Sequence, residues 1–237
     1  MLNIQKGNMY PWVTHTWNAI KGKCIHDCKY CYMKRFPLNP VRLDTTEFKT
    51  DLGEGNVIFV GSSCDMWAKD IPSYWITRVL DQCKSYPLNS YLFQTKNPER
   101  FFEFIDSDFV DRHCKDLYLG CTIESNRDYK VSKAPSPAER VPWMWELTDQ
   151  KYNGRFRTMV SIEPVLDFDL DEFIMMMKNI NPEFVSIGAD SKNHDLPEPD
   201  KEKTNKFIKS ISKFTKVRIK ENLDRVIGGG KADNVRK

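Results

Sequence analysis

The sequence predicts an α/β protein with a parallel, barrel-like sheet, and two observations support this prediction. Short runs rich in β-branched and aromatic residues recur roughly every 30 residues, with helix-like segments between them. Polar residues collect directly after nearly every run. Strands joined by helical crossovers are parallel, and in barrels of this type the active site forms from the loops at the carboxyl ends of the strands. We therefore expect the polar strand ends to converge on one face.

Seven segments have the character of strands. Most are almost free of charged residues, which is typical of strands that are buried on both faces. In chain order they are "WVTHTWN" from Trp12, "NVIFV" from Asn56, "SYLFQT" from Ser90, "LYLGCTI" from Leu117, "RTMVSI" from Arg157, "FVSIG" from Phe184 and "KVRIK" from Lys216.

Helix signals lie between these strands. Asn97 followed by Pro98 predicts a helix start before "ERFFEFI", and the segment from Ser136 to Glu139 reads as a capping box with proline at the first helical position. Two further segments carry an apolar face at helical spacing. These faces are formed by Trp75, Val79, Leu80 and Cys83 in the first segment, and by Phe207, Ile211 and Phe214 in the second.

Length and composition favour one domain with a substantial core. The chain has 237 residues, of which 40% are apolar. We expect a single core domain over residues 1–227 and a flexible C-terminal tail over 228–237, since the tail follows a glycine run and has little to bury. The formal net charge of +3 neither requires nor excludes a polyanionic partner.

The cysteine content indicates a reducing compartment. Seven cysteines are present, an odd number, and the N-terminus lacks the pattern of a secretion signal. No stretch approaches the roughly 18 consecutive apolar residues of a membrane span. We therefore expect a cytoplasmic protein that does not associate with membranes and whose thiols serve metal or redox chemistry.

Three of the cysteines, Cys24, Cys28 and Cys31, are spaced as C-x3-C-x2-C in "KCIHDCKYC". Thiolates suit zinc or iron–sulfur clusters, and structural zinc requires four protein ligands. His26, His15 or Cys64 could supply a fourth ligand, so a zinc knuckle is one interpretation. The other is a cluster of four irons and four sulfides in which three thiolates leave one iron open to a small molecule.

The spacing of Cys24, Cys28 and Cys31, with Tyr30 just before the third cysteine, resembles the signature of the radical S-adenosylmethionine (radical SAM) superfamily. The resemblance implies a partial (β/α)6 TIM-like barrel with parallel strands and a motif in the loop after the first strand. It further implies a [4Fe-4S] cluster on the three cysteines and S-adenosylmethionine (AdoMet) on the open iron.

A narrower resemblance rests on six segments of the chain, "TWNAIKGKC", "FVGSSCDMW", "QTKNPERF", "CTIESN", "SIEPVL" and "SIGADS". These are similar to a phage- and bacterially encoded group of radical-SAM-like proteins of unassigned function, which has some likeness to spore photoproduct lyase. The superfamily resemblance implies an enzyme that reductively cleaves AdoMet to a 5'-deoxyadenosyl radical, which then abstracts hydrogen from a substrate. A nucleic acid or nucleotide is a candidate substrate by analogy, and a reductase or flavodoxin-like protein is the implied electron donor.

The superfamily pattern also implies cofactor contacts after three strands. Tyr30 is expected near the adenine of AdoMet. The second strand ends in Gly61, Ser62 and Ser63, where a glycine-rich motif with an acidic residue is usual, so hydroxyls or backbone carbonyls would receive the ammonium group. Asp65 is an alternative acid there, or a turn residue. Glu124 and Asn126, after the fourth strand, fall where contacts to the ribose or methionine are common.

Two further cysteines, Cys64 and Cys121, lie near strand ends and are candidate catalytic hydrogen donors to a product radical. Small buried hydrophobes are the alternative interpretation of both. Four more residues that end strands are expected to line the substrate side, with a salt-bridge role as the alternative: Lys96, Glu163, Asp190 and Lys220. Two other functions stay open: a DNA-lesion repair lyase, and a non-catalytic zinc- or Fe–S-binding module that recognises a partner.

Overall fold

The computed structural model describes residues 1–6, 10–104, 116–148 and 157–228. Its strands are β1 (Asn3–Ile4), β2 (His15–Trp17), β3 (Ile20–Lys21), β4 (Arg42–Leu43), β5 (Val57–Val60), β6 (Ser90–Thr95), β7 (Leu117–Thr122), β8 (Arg157–Ile162), β9 (Phe184–Ile187) and β10 (Lys216–Ile219). Eight of them form one sheet in the order β1-β2-β5-β6-β7-β8-β9-β10, and β3 pairs with β4 separately.

The main sheet is parallel except at one edge. β1 runs antiparallel to β2, and each neighbouring pair from β2 to β10 is parallel. Because the spatial order follows the chain order, every crossover steps in the same direction, as in a barrel. Among the described residues, no pairing joins β1 to β10. The predicted α/β class and partial barrel are therefore confirmed.

All seven predicted strands form. β6 and β8 have the predicted bounds, and the other five are shorter than predicted by one residue or a few. β1, β3 and β4 were not predicted, because each is only two residues long and carries no periodic pattern.

The helices of the described residues cover one side of the sheet. They are α1 (Ser73–Lys84), α2 (Pro137–Thr148), α3 (Leu170–Ile180), α4 (Lys201–Ile211) and α5 (Asp224–Ile227), with 3-10 turns at Tyr32–Arg35, Thr45–Lys49, Pro98–Glu103 and Glu221–Leu223. The capping box before α2 is confirmed, since the Ser136 amide donates to Glu139 Oε2 at 2.7 Å. The helix expected after Asn97 forms as a 3-10 helix.

The buried helix faces differ slightly from prediction. In α1, Val79, Leu80 and Cys83 are buried as expected, but Ile76 takes the place of Trp75, which lies at the edge of the face and is only partly buried. In α4, Phe207 and Ile211 are buried together with Ile208. Phe214 lies beyond the end of that helix and is partly buried.

The two faces of the sheet carry different cores. One large core packs the sheet against the helices and includes Phe93, Leu119, Cys121 and Val160. Alternate residues of the same strands point to the opposite face, which is the barrel interior. That interior holds a small aromatic and aliphatic cluster formed by Tyr10, Val13, Phe59, Leu92, Met159 and Phe184.

The segment before β2 closes the amino-terminal end of the barrel. The Trp12 ring lies 4.8 Å from that of Tyr118. The Tyr10 hydroxyl lies deeper inside, 2.7 Å from Gln94 Oε1 and 2.9 Å from Ser161 Oγ. This end of the interior is therefore filled, and a ligand must enter from the carboxyl ends of the strands.

Three predictions concern the whole chain. None of the helices in the described ranges has the length and hydropathy that crossing a membrane requires. The cytoplasmic location and the single domain over 1–227 stay predictions. Nearly all of the predicted tail, residues 229–237, lies outside the described residues.

Gly22, directly before the cysteine loop, is expected to tolerate no side chain. It has φ +115°, and an added Cβ would lie 2.5 Å from the Pro40 carbonyl oxygen. Gly55 is a matched control, because it has φ +72° but no atom within 4 Å of an added Cβ. Backbone strain costs about 1–2 kcal/mol and overpacking about 1–3 kcal/mol. Urea unfolding should show a clearly larger loss of stability for Gly22→Ala than for Gly55→Ala; equal losses would contradict the packing.

Candidate active site

The upper layer of the barrel interior is built from consecutive strand ends. Every second residue of a strand points to the same face. Counting in steps of two from interior residues such as Leu92 in β6 and Met159 in β8 leads to a polar residue or a glycine just after each strand. The layer consists of Gly61, Lys96, Glu124, Glu163, Gly188 and Lys220, which follow β5 to β10 in order. The predicted convergence of strand ends is therefore present, with two lysines, two carboxylates and two glycines.

The cysteine loop lies over this layer and is held by backbone hydrogen bonds. Within the loop, the Asp27 amide donates to the Cys24 carbonyl at 3.2 Å, and the Cys31 amide donates to the Cys28 carbonyl at 3.1 Å. The segment after β7 fixes the loop from outside, because the Lys29 amide donates to the Val131 carbonyl at 2.7 Å. The three cysteines are thus presented by a braced loop.

The donor set that the loop offers is three thiols, a ligand type that suits an iron–sulfur cluster. Cys24, Cys28 and Cys31 are free thiols and partly buried. In the described part of the chain, no group of three or more His, Cys, Asp or Glu side chains is arranged to hold one metal ion. A four-iron cluster does not need such convergence, because each thiolate binds its own iron.

The candidate fourth zinc ligands are placed elsewhere or engaged. His15 begins β2, at the opposite end from the cysteine loop, with its Nδ1 2.9 Å from Thr14 Oγ1. The His26 Nε2 atom lies 3.0 Å from Asp65 Oδ2. Burial lowers the pKa of His26, but Asp65 and Cys24 outweigh burial, so that this pKa is raised overall.

Cys64 contacts one of the motif cysteines. It is buried, and its hydrogen bond to Cys24 lowers the pKa of the Cys24 thiol to about 6. The same hydrogen bond, together with burial, raises the pKa of Cys64. Cys64 therefore stabilises a Cys24 thiolate, the form that binds metal. Its expected role as a hydrogen donor stays a prediction.

Asn18 positions the loop after β5. Asn18 Oδ1 accepts from the Ser63 amide at 2.9 Å, and its Nδ2 donates to Ser62 Oγ at 3.2 Å. Gly61 adopts φ +77°, which favours glycine at this turn. The Tyr32 hydroxyl, from the end of the cysteine loop, donates to the Ser62 carbonyl at 2.9 Å. The predicted cofactor residues Gly61, Ser62 and Ser63 thus lie beside the cysteine loop.

Asp65 acts as a buried brace. Its carboxylate accepts from the Trp67 amide at 3.0 Å, the Thr95 hydroxyl at 2.9 Å and the Lys96 amide at 2.9 Å, in addition to its contact with His26. Burial raises the pKa of Asp65, but the interaction with His26 and the amide donors lower it further than burial raises it. Asp65 therefore connects the β5 and β6 loops to the cysteine loop and has little capacity left for a ligand.

Glu124 is the centre of a buried charge cluster. Its side chain is fully buried and accepts hydrogen bonds from Tyr30 Oη and from Arg140 Nη1, the latter at 2.8 Å. Lys96 Nζ lies 3.6 Å from Glu124 Oε1. Burial raises the pKa of Glu124, but Lys96 and Arg140 outweigh burial, so that the carboxylate is ionised with a lowered pKa. Glu124 thus ties Tyr30 of the cysteine loop to the barrel.

Lys96 is the cation nearest to the cysteine loop in this layer. Its Nζ lies 5.2 Å from the centre of the Tyr30 ring. Burial lowers the pKa of Lys96, but Cys28 and Glu124 raise it more, so that Lys96 is charged. Because Arg140 already pairs with Glu124, the site can offer Lys96 to an anionic group without leaving Glu124 unpaired.

The other predicted site residues lie farther from this layer. Asn126 Nδ2 donates to Glu172 Oε2 at 2.9 Å, and its Oδ1 accepts from the Asp169 amide at 2.9 Å, so that Asn126 holds the loop to the start of α3. Cys121 is fully buried in the helix-facing core, where burial raises its pKa to about 12. Whether Asn126 contacts a cofactor and whether Cys121 donates hydrogen stay predictions.

Asn18 and Arg140 were missed from the sequence. Asn18 lies in an ordinary loop sequence, and no local signal marks it. Arg140 does have a signal, since it stands at helical spacing with the buried residues Met144 and Leu147 of α2. A charged residue at a core position of an amphipathic helix indicates a buried ion pair, and here the partner is Glu124.

Comparison with known proteins gives a family and a fold. The model of the DUF5131 family, described as a protein of unknown function, matches residues 8–236. No curated protein matches the chain. Solved structures of spore photoproduct lyase do match in fold. A tyrosine-to-phenylalanine variant has TM-score 0.61 at 11% identity and covers 91% of this chain and 78% of its own.

A second spore photoproduct lyase structure, complexed with dinucleoside spore photoproduct, has TM-score 0.57 at 10% identity and covers 95% of this chain and 78% of its own. A double variant of the same protein, with bound AdoMet and dinucleoside spore photoproduct, has TM-score 0.54 at 10% identity and covers 95% and 77%. At these identities the likeness shows the fold alone, a partial barrel with a mostly parallel sheet.

Replacing Arg140 should strongly destabilise the protein. Arg140→Met removes the hydrogen-bonded cation of a buried carboxylate and leaves Lys96 Nζ at 3.6 Å. The loss should approach that of breaking a buried ion pair, about 3–5 kcal/mol. Lys206→Met is the control, because Lys206 pairs with Glu202 at 2.7 Å at side-chain exposures of 62% and 79%, and exposed pairs contribute little. Chemical denaturation should give a large loss for the first variant and a small one for the second. Similar losses of stability in the two variants would show that the Arg140–Glu124 pair is not buried.

Proposed function

The chain belongs to the DUF5131 family, and from its fold and site we propose that it is a radical SAM enzyme. The observation that carries the proposal is the placement of Cys24, Cys28 and Cys31. A braced loop holds these three thiols over the carboxyl ends of a parallel partial barrel, beside a polar interior layer. The spore photoproduct lyase fold, with AdoMet in one of those structures, supports the same proposal.

Cys24, Cys28 and Cys31 would hold a [4Fe-4S] cluster, with Cys24 favoured as a thiolate by Cys64. When bound, the cluster supplies the electron that cleaves AdoMet into methionine and a 5'-deoxyadenosyl radical. A reductase or flavodoxin-like protein is the proposed electron source. The substrate, bound at the barrel mouth, would lose a hydrogen atom to the deoxyadenosyl group, which becomes 5'-deoxyadenosine.

Different residues around the cysteine loop would bind different parts of AdoMet. Lys96 offers a charged ammonium to the AdoMet carboxylate, and the Ser62 and Ser63 segment offers hydroxyls and carbonyls to its ammonium group. Tyr30, fixed by Glu124, borders the adenine side. Glu124 acts mainly through Tyr30 and Lys96, because its own oxygens are engaged by these residues and by Arg140.

Iron and sulfide analysis after anaerobic purification tests the proposal most broadly. We expect about four irons and four sulfides per chain, and 5'-deoxyadenosine after reduction with AdoMet. Cys24→Ala, Cys28→Ala and Cys31→Ala should each lose the cluster and the cleavage. Cys24→Ala is also combined with Cys64→Ala, because the Cys64 thiol contacts Cys24 and could take the lost ligand position. Cys83→Ala is the matched control, because Cys83 is buried in α1 away from the loop.

Stoichiometric zinc without formation of 5'-deoxyadenosine would contradict the enzymatic function and favour a metal-binding module that recognises a partner. A motif variant that kept a normal cluster and normal turnover would contradict the assignment of the three ligands.

Lys96→Met should weaken AdoMet binding. A hydrogen bond to a charged group contributes about 1.5–3 kcal/mol, which corresponds to roughly a 10- to 100-fold loss of affinity. Lys29→Met is the matched control, since it removes the same charge from an exposed position of the cysteine loop. Equilibrium dialysis of labelled AdoMet with the cluster-loaded protein measures both. Equal affinities of the two variants would remove Lys96 from the AdoMet site.

A DNA-lesion repair lyase is the second candidate, favoured by the likeness to a structure that contains dinucleoside spore photoproduct. The rim of the site also has a basic and aromatic surface, where Arg35 lies 4.7 Å from the centre of the Phe36 ring and both Tyr32 and Phe36 are exposed. Such surfaces suit nucleic acid. Turnover of lesion-bearing DNA, compared with free nucleosides, separates this candidate from an enzyme that acts on small molecules.

A further inference from the structure

A second lysine–carboxylate pair lies in the upper interior layer, after strands β8 and β10. Lys220 Nζ lies 2.6 Å from Glu163 Oε2, with side-chain exposures of 10% and 18%. The Ser186 hydroxyl donates to Glu163 Oε1 at 2.6 Å. Lys220 Nζ also lies 4.8 Å from the centre of the Tyr10 ring. The pair is therefore fixed in position and opens toward the barrel mouth.

Gly188 provides the space in which this pair sits. An added Cβ would lie 3.1 Å from Asn222 Oδ1, 3.1 Å from Lys220 Cδ and 3.3 Å from Glu163 Cγ. Three polar side chains from the ends of different segments thus converge on one glycine. The backbone of Gly188 is not in the left-handed region, so space and not conformation requires the glycine.

Asn222, beside Gly188, has a side-chain oxygen that is a hydrogen-bond acceptor and receives no hydrogen bond from the described residues. Its Nδ2 donates to the Ala189 carbonyl at 2.6 Å and to Ser191 Oγ at 2.8 Å, which fixes the orientation of the amide. Its Oδ1 is buried and has no hydrogen-bond partner among the residues that the structure describes. A buried acceptor without a donor costs about 1–3 kcal/mol and is a common sign of a missing bound group.

We propose that Glu163, Gly188, Lys220 and Asn222, here named the Glu163 cradle, bind a ring of the substrate through an edge that carries an N–H next to a C=O. The cradle rests on the proposed function, since it names the substrate side of the same barrel mouth.

The spacing of the polar atoms carries this assignment. From amide bond lengths, the nitrogen and oxygen of one amide group lie about 2.2 Å apart, close to the 2.6 Å between Lys220 Nζ and Glu163 Oε2. The ring N–H donates to the carboxylate, which has lone pairs left beyond those used by Ser186 and Lys220. The ring C=O accepts from the ammonium. Both hydrogen bonds then run side by side.

The same geometry excludes an ordinary peptide chain. In a trans peptide the N–H and C=O point in opposite directions, so one peptide group cannot reach both Glu163 and Lys220. A cyclic amide holds the two groups on one edge. Uracil and hypoxanthine rings have this edge, and the basic rim around Arg35 suits the phosphate that a nucleotide would bring.

Ligand pairs that differ by one methyl group test the cradle. Binding of uridine and inosine to the cluster-loaded, AdoMet-saturated protein is measured by saturation-transfer NMR, alongside 3-methyluridine and 1-methylinosine, which lack the donor. We expect at least one parent nucleoside to bind at least 10-fold more tightly than its methylated form. Absence of binding by both parents, or equal binding within both pairs, would overturn the proposal.

Two glycine variants locate the site. Gly188→Ala should weaken binding of that nucleoside at least 10-fold and leave AdoMet affinity unchanged. Gly120→Ala, which adds the same methyl group in the same interior near Met159, should keep nucleoside binding. If Gly188→Ala instead lowers AdoMet affinity, the cradle holds the adenine of AdoMet and the proposal fails.

Formation of 5'-deoxyadenosine in the same samples separates the two proposals. Nucleoside binding without AdoMet cleavage would remove the enzymatic function and keep the cradle as a binding site. AdoMet cleavage without selective nucleoside binding would contradict the Glu163 cradle as a binding site and leave the proposed enzymatic function standing.

Discussion

The buried carboxylate of Glu124 is the interaction on which the site depends. A fully buried charge is costly unless it is paired and hydrogen-bonded. Here Arg140 from α2, Lys96 after β6 and Tyr30 from the cysteine loop all converge on it. One charge therefore connects a helix, two strand ends and the loop of three thiols, and the position of the loop follows from satisfying that charge.

The pairing of a buried charge also holds the cysteine loop at a second point. Asp65, the second buried carboxylate, takes up His26 and backbone amides from neighbouring strand ends. Cys64 supports Cys24 from the protein side. The three motif thiols are partly buried and form no disulfide with one another, which suits three ligands on three different irons. The barrel interior beneath them is polar at the top and aromatic at the bottom, so that ligands have one entrance.

Much of the fold could be predicted from the sequence, because strands buried on both faces are continuous apolar runs and helices carry their own start signals. β6 and β8 show this directly, and the polar residues after them form the upper layer as expected. The pairing of Glu124 with Arg140 could not be predicted, since it joins residues from two elements whose packing is set by the whole sheet. Asn18 and the convergence on Gly188 are hidden for the same reason: nothing local distinguishes them.

In the proposed function, Cys24, Cys28 and Cys31 hold a four-iron cluster whose remaining iron is open to AdoMet. Electron paramagnetic resonance of the reduced, cluster-loaded protein, recorded before and after addition of AdoMet, tests it most directly. We expect the signal of a reduced [4Fe-4S] cluster whose g values change when AdoMet is added. A reduced cluster whose signal is unaffected by saturating AdoMet, or a protein that takes up no cluster, would contradict it.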